Sequence, residues 1–204
     1  MTPIVNEEYI QARKDQIIEA AVKSFAQKGF HKTTMKDICE TSGLSTGAVY
    51  NYFKGKNEIV ESIAKLSLDR NIEMISKVSK LDAKNPLGKL LNTFFTMLKE
   101  MAKDQDAKKY LSIDFELWSE SARNVSIAAI SSKTQKTTLS IVTDLVKEEQ
   151  KNGAINKGLD PISIARSLLA LLQGLQVQLV LDANTDIDSY SKVCEALITG
   201  DFAK

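Results

Sequence analysis

Between Ser45 and Lys56 the sequence gathers Ser45, Thr46, Tyr50, Asn51, Tyr52 and Lys56 into one short run. Hydroxyl, carboxamide and ammonium groups at that density suit hydrogen bonds to phosphate oxygens and to the edges of bases. Spacing sorts them. Val49 and Phe53 are apolar and one turn apart, while Thr46, Gly47, Tyr50 and Asn51 share the opposite side of a helix expected from Thr46 to Phe53. Such a helix is anchored by one face and presents the other. It has no acid in its first turn, where the helix dipole would favour one; a carboxylate there would repel a phosphate. Gly47 weakens the helix and adds no side chain, which fits a backbone that must come close to something.

Covalent chemistry has little to work with. His31 is the one histidine, so neither a Ser-His-Asp nor a Cys-His arrangement has a second place to form, and a His-rich metal site is out of reach. Neither zincin spacing nor a Gly-rich phosphate loop occurs. The expectation is no catalytic residue, no metal and no cofactor.

The elements that hold this run in place lie in TTMKDICETSGLSTGAVYNYFKGKNE, residues 33–58. Thr34 with Asp37 three residues on forms a capping-box pattern, so a helix starts there and turns Met35, Ile38 and Cys39 to one side. It must stop at Ser42-Gly43, because glycine most easily adopts the left-handed conformation that ends a helix sharply. Ser45 caps the next helix. A third begins near Gly55 with Lys56 in its first turn, a cation that opposes the dipole unless an anion meets both. Two short helices, a tight turn and flanking phosphate-holding groups describe a helix-turn-helix whose second helix enters the major groove.

The run FAQKGFHKTTMKDICETSGLSTGAVYNYFKGKNEIVESI resembles the N-terminal domain of the TetR family of bacterial transcriptional repressors. The likeness rests on KGF before paired Thr, the Gly-x-Ser turn and a G-x-x-Y-x-Y-F-x-x-K signature, and it covers the first quarter to third of the chain. It implies base-edge contacts from Thr46, Gly47, Ala48, Tyr50 and Asn51, and phosphate contacts from Thr34, Ser45, Tyr52 and Lys56. It implies an all-α fold of about nine helices, with a three-helix DNA-binding domain over 1–55 and a larger helical-bundle domain over 56–204. That second domain would bind a small-molecule effector, and the last two long helices would pair with their symmetry mates in a homodimer. The implied partner is double-stranded DNA carrying a palindromic operator, released when effector binds.

Composition agrees with a folded, reducing-compartment protein. The chain has 204 residues and a formal charge of +1, so bulk attraction to nucleic acid is not its means of binding. Between His31 and Lys56, however, Lys32, Lys36, Lys54 and Lys56 outnumber Asp37 and Glu40. Cys39 and Cys194 lie far apart and read as two small buried hydrophobes rather than a disulfide. No signal peptide or membrane-length apolar run is evident, and a cytoplasmic location follows.

The remaining pattern is helical. A helix from Tyr9 to Gly29 turns Ile18, Ala21, Val22 and Phe25 inward, with Phe30 in the core and His31 in a turn. A long helix continues from Ile59 to Val78; Pro86 opens another, ending near Lys103; DQDAKK reads as a connection; and helices are expected over 110–122, 125–152, 161–181 and 187–199. The helix after Pro161 is apolar nearly all round and must be covered on more than one side, while Gln173, Gln176 and Gln178 argue against a membrane span. Gly174 in its middle permits close helix approach.

Candidate effector contacts are Phe94, Met97, Leu98, Leu111, Asp114, Phe115, Trp118, Gln173 and Gln176; the bland reading of the same apolar set is a filled bundle core. Asp114 stands out, because by spacing it shares a face with Leu111, Phe115 and Trp118, and burying an unpaired carboxylate is expensive. Either it pairs with a basic residue such as Arg123 or Arg166, or it awaits a cationic or hydrogen-bonding ligand. A DNA-binding dimer controlled by a protein partner, or without any ligand, is the alternative to an effector-released repressor.

Overall fold

The structure is a computed structural model and describes residues 6–79, 85–182 and 184–199. Among these residues it contains nine helices and no strand: α1 (Glu7–Lys32), α2 (Met35–Ser42), α3 (Thr46–Tyr50), α4 (Lys56–Ser79), α5 (Pro86–Lys103), α6 (Gln105–Ser121), α7 (Val125–Lys151), α8 (Pro161–Leu181) and α9 (Ile187–Thr199). Two compact units result. One holds the described residues through Leu68 together with Lys109–Ser131, and the other holds the described residues of Asp69–Lys108 and those from Ser132 onward.

In the first unit, local chemistry sets the breaks. Asn6 caps α1 by accepting from the Glu8 N–H, and Glu7 and Glu8 occupy the positive end of the helix. Gly29 interrupts α1 with φ 75° and ψ 161°, a conformation open to glycine but strained for other residues, and the chain resumes for one turn through Phe30. The expected stop at Gly29 is therefore a kink. Phe30 packs edge-on to Phe25 with ring centroids 4.5 Å apart. Around them Ile17, Ala21, Ile38, Val49, Phe53, Ile59 and Ile63 close one core, to which α6 contributes Ile113 and Leu117 and α7 contributes Ile127.

The second unit is built on α5, which starts at Pro86 and ends at Lys103 as the sequence reading expects, with Asn85 as its cap. Leu87, Leu90, Leu91, Phe95 and Leu98 form its buried side. Glu149 of α7, only 3% exposed, accepts from the Leu87 N–H at 3.4 Å, and Gln150 donates to the carbonyls of Asn156 and Leu159, tying down the turn before α8. Tyr190 of α9 donates its hydroxyl to the Leu171 carbonyl at 2.8 Å, and burial pushes its ionisation upward.

The start of α6 and the cover of α8 both differ from expectation. The 104–109 run is not a connection: Asp104 alone is extended and α6 begins at Gln105, since Gln, Ala and Lys are good helix formers and the run contains neither Gly nor Pro. The second unit also leaves α8 less covered than its composition requires. Only Ala165, Leu168, Leu175 and Leu179 are buried, while Ile162, Val180 and Leu181 stay exposed, as do Val193 and Leu197 on α9. By length and mean hydropathy, 1.5 over its most apolar stretch, α8 could cross a membrane. Arg166 and three glutamines along it speak for a different cover.

Candidate nucleic-acid interface

α2 is held firmly. Thr34 accepts from the Asp37 N–H at 3.2 Å, while the Thr34 N–H and hydroxyl both donate to Asp37 Oδ2 at 2.7 Å, completing the capping box. Lys28 of α1 reaches Asp37 Oδ1 at 2.5 Å. The Lys28 ammonium, followed by the Thr34 bonds, holds the Asp37 carboxyl well below the usual carboxylate range. At the other end Gly43 adopts φ 68°, and the Gln16 carboxamide of α1 donates to the Ser42 carbonyl at 2.7 Å.

α3 has fewer ties. Ser45 accepts from the Ala48 N–H at 3.2 Å, which leaves its hydroxyl hydrogen to donate elsewhere. The helix ends at Tyr50 rather than Phe53. Tyr52 and Phe53 both donate their N–H groups to the Val49 carbonyl at 3.0 Å, and this tightened turn carries Phe53 into the core. Val49 is fully buried and Phe53 nearly so, whereas Thr46, Gly47, Tyr50 and Asn51 are exposed and Ala48 is half-buried. A Cβ built on Gly47 would meet nothing within 4 Å, so nothing inside the molecule calls for glycine there. The exposed strip is what a helix needs to lay its side chains and backbone against base edges.

The four expected phosphate groups separate. Ser45 is exposed with a donor to spare. Tyr52 is half-buried and packs against the core. Thr34 commits both of its donors to Asp37. Lys56 is the clearest departure: its ammonium donates to the carbonyls of Phe30 at 2.5 Å, Thr33 at 3.0 Å and His31 at 3.4 Å. An ammonium has three hydrogens, and here all three close the carbonyl end of α1.

Sequence reasoning did not find the groups that brace this surface from afar. Glu116 of α6 accepts from the Phe30 N–H at 3.4 Å and lies 3.4 Å from where a Cβ on Gly29 would sit, and Glu120 faces His31 at 3.6 Å. No spacing rule pairs residues so far apart in the chain.

The candidate effector residues also divide. Leu111, Asp114, Phe115 and Trp118 fall on α6 in the first unit; Phe94, Met97 and Leu98 on α5 and Gln173 and Gln176 on α8 fall in the second. Leu98 and Leu111 are buried as core, while Phe115 is half-buried and Trp118 is 40% exposed, stacked edge-on with centroids 5.2 Å apart. Asp114 is half-buried and accepts from the Ser67 hydroxyl of α4 at 3.2 Å.

Two family models match the chain. One, described as bacterial regulatory proteins of the tetR family, covers residues 17–63, and the other, the C-terminal domain of BetI-type transcriptional repressors, covers residues 95–201. The chain belongs to the TetR family. It is a sequence-specific DNA-binding transcriptional regulator, and its helix-turn-helix is the α2–α3 pair. The fatty acid metabolism regulator protein of Bacillus subtilis is 27% identical over 190 residues, 91% of this chain and 93% of that protein. The uncharacterized HTH-type transcriptional regulator YfiR of Bacillus subtilis is 42% identical over 77 residues, and the match spans 38% of either protein. A solved structure of the Bacillus subtilis transcriptional regulator FadR in complex with stearoyl-CoA superposes with a TM-score of 0.73 at 25% identity, covering 91% of this chain and 98% of that one. These TetR-family relatives are transcriptional regulators.

Proposed function

We propose that this TetR-family regulator acts in the cytoplasm as a homodimeric repressor. It reads a palindromic operator with two copies of α3 and is released by an apolar small molecule. The observation that carries the reading is the exposed strip of Thr46, Gly47, Tyr50 and Asn51 above buried Val49 and Phe53. In this reading Thr46, Gly47, Ala48, Tyr50 and Asn51 meet base edges, and Ser45 and Tyr52 meet phosphates. Thr34 and Lys56 contribute to phosphate binding chiefly by shaping the backbone and the local potential, because their donors are spent within the protein. Residues 1–55 then carry recognition, and 56–204 carry dimerisation and effector binding.

The uncovered apolar sides of α8 and α9, with Ile162, Val180, Leu181, Val193 and Leu197, support a second copy as their cover. One helix as short as α3 specifies few base pairs, so two related by a two-fold axis read half-sites about one helical turn, or a multiple, apart. For the effector, a long-chain acyl thioester is the first compound to try, on the strength of the likeness to the fatty acid metabolism regulator over most of the chain. Coupling has a physical route within the first unit: α6 carries Phe115 and Trp118 and also bonds to α1 through Glu116 and to α4 through Asp114. By linkage, effector and DNA must weaken each other's binding by the same factor.

The test is selection of bound duplexes from a random pool, followed by titration with stearoyl-CoA and with triclosan, a neutral apolar compound. A palindromic consensus bound by a dimer, with affinity lowered by one of these compounds, is the expected result. A monomer at micromolar concentration, or a consensus without two-fold symmetry, would sink the dimer reading. An effector that binds while operator affinity holds steady would sink the release.

A further inference from the structure

The first ten residues of α1, Glu7 to Gln16, run for roughly 15 Å of helix without burying a single side chain. The core side of α1 is marked by Ile17, Ala21 and Ser24. Continued towards the N-terminus at helical spacing, that side carries Ile10, Arg13 and Lys14, all half-buried, whereas Glu8, Asp15 and Glu19 fall on the other side and are exposed. The apolar stripe thus changes to cations where it outruns the core.

Arg13 is held ready there. Its guanidinium lies over the Tyr9 ring at 5.0 Å and donates to the Gln16 carboxamide oxygen at 2.7 Å. Gln16 in turn donates to the carbonyl of Ser42, the last residue of α2, three residues before the Ser45 cap of α3. Among the described residues Arg13 pairs with no carboxylate. A guanidinium stacked on a ring and hydrogen-bonded through one nitrogen keeps its remaining N–H donors in a fixed plane, the geometry that suits a phosphate.

We infer that Arg13 is a DNA-backbone contact, set beside the turn that leads into α3 and gripping a phosphate flanking the bases that α3 reads. The inference rests on DNA binding through α3 and adds a contact outside the helix-turn-helix. Being a phosphate contact, it raises affinity on every sequence and leaves base preference alone.

The experiment measures binding of the full-length Arg13→Gln, Arg13→Lys and Lys23→Gln variants to the selected operator and to a random duplex across a salt series. Lys23→Gln removes the same charge from α1, at a residue paired with Glu19. Arg13→Gln should weaken binding to both duplexes, about five- to tenfold per arginine near 0.1 M salt, and make the slope of log Kobs on log salt shallower by about 0.9 per arginine. Arg13→Lys should recover most of the slope, and Lys23→Gln should leave it unchanged, with equal melting temperatures throughout. An unchanged slope in Arg13→Gln would overturn the contact, as would an affinity loss that tracks a lower melting temperature. A wild-type chain that bound no duplex from the pool would fail before any substitution and would remove the reading beneath it.

Discussion

The two helices on either side of Gly43 are made differently. α2 has a complete capping box, an acid at its positive end, a salt bridge from α1 and a left-handed glycine at its close. α3 has one serine cap, no acid in its first turn and a glycine at its second position where an added Cβ would meet nothing within 4 Å. Stability has been placed in the helix that supports and withheld from the helix that reads. What looks like poor helix design in α3 is a surface left open for another molecule to complete.

Substitutions sharpen or break that contrast. The largest effect is expected on α3 itself: Tyr50→Ala or Asn51→Ala should lose about 1–3 kcal/mol per copy on the selected operator. Neither should change affinity for random DNA, nor shift the melting temperature, as both side chains are exposed. Equal losses on both duplexes would show that α3 holds phosphates instead. Lys56→Ala comes next. Loss of three carbonyl contacts, one of them at 2.5 Å, should lower stability by about 1.5–3 kcal/mol, visible in urea unfolding. A stable variant with only a flatter salt slope would return Lys56 to a plain phosphate role.

On α2, Asp37→Asn should lower the melting temperature at neutral pH with little effect on base preference. The sign follows from the depressed folded pKa of Asp37. Its contribution is complete above the unfolded value of about 3.9 and drains away as pH falls below it. The gap between wild type and Asp37→Asn should therefore close in acid, and a gap that widened there would contradict the Lys28 and Thr34 bonding. Asp160 and Asp186, lowered by bonds from Ser163 and Ser189, add to the same acid-side loss in wild type. The smallest effect is on Gly47→Ala, which should raise stability by up to about 1 kcal/mol while weakening operator binding. The two readouts moving in the same direction would mean that no close backbone approach occurs at Gly47.

The same contrast explains what could be read without coordinates. Caps and breaks act over three or four residues, so Thr34, Asp37, Gly43, Ser45, Pro86 and Pro161 mark their elements, and α5 and α9 begin and end where their patterns do. The end of α3 was missed because the Val49 carbonyl takes two N–H groups at once, a choice driven by sinking Phe53 into the core. α6 starts earlier than its pattern suggests, because a polar run without a breaker reads as a loop and folds as a helix. Lys56, Gln16 and Glu116 found partners at separations no local rule covers. The candidate effector residues are the least legible, since Phe115, Trp118 and Leu98 are all large apolar side chains on helices and differ in burial, which sequence does not show.

Trp118 is the only tryptophan in the chain, 40% exposed and set edge-on against Phe115. Its fluorescence therefore comes from one place, on the helix whose Glu116 bonds to the end of α1. Emission wavelength and quenching by iodide or acrylamide would report solvent access at that single indole with no label attached. Titrated with an effector and then with operator, one optical signal would follow both events from the same reporter.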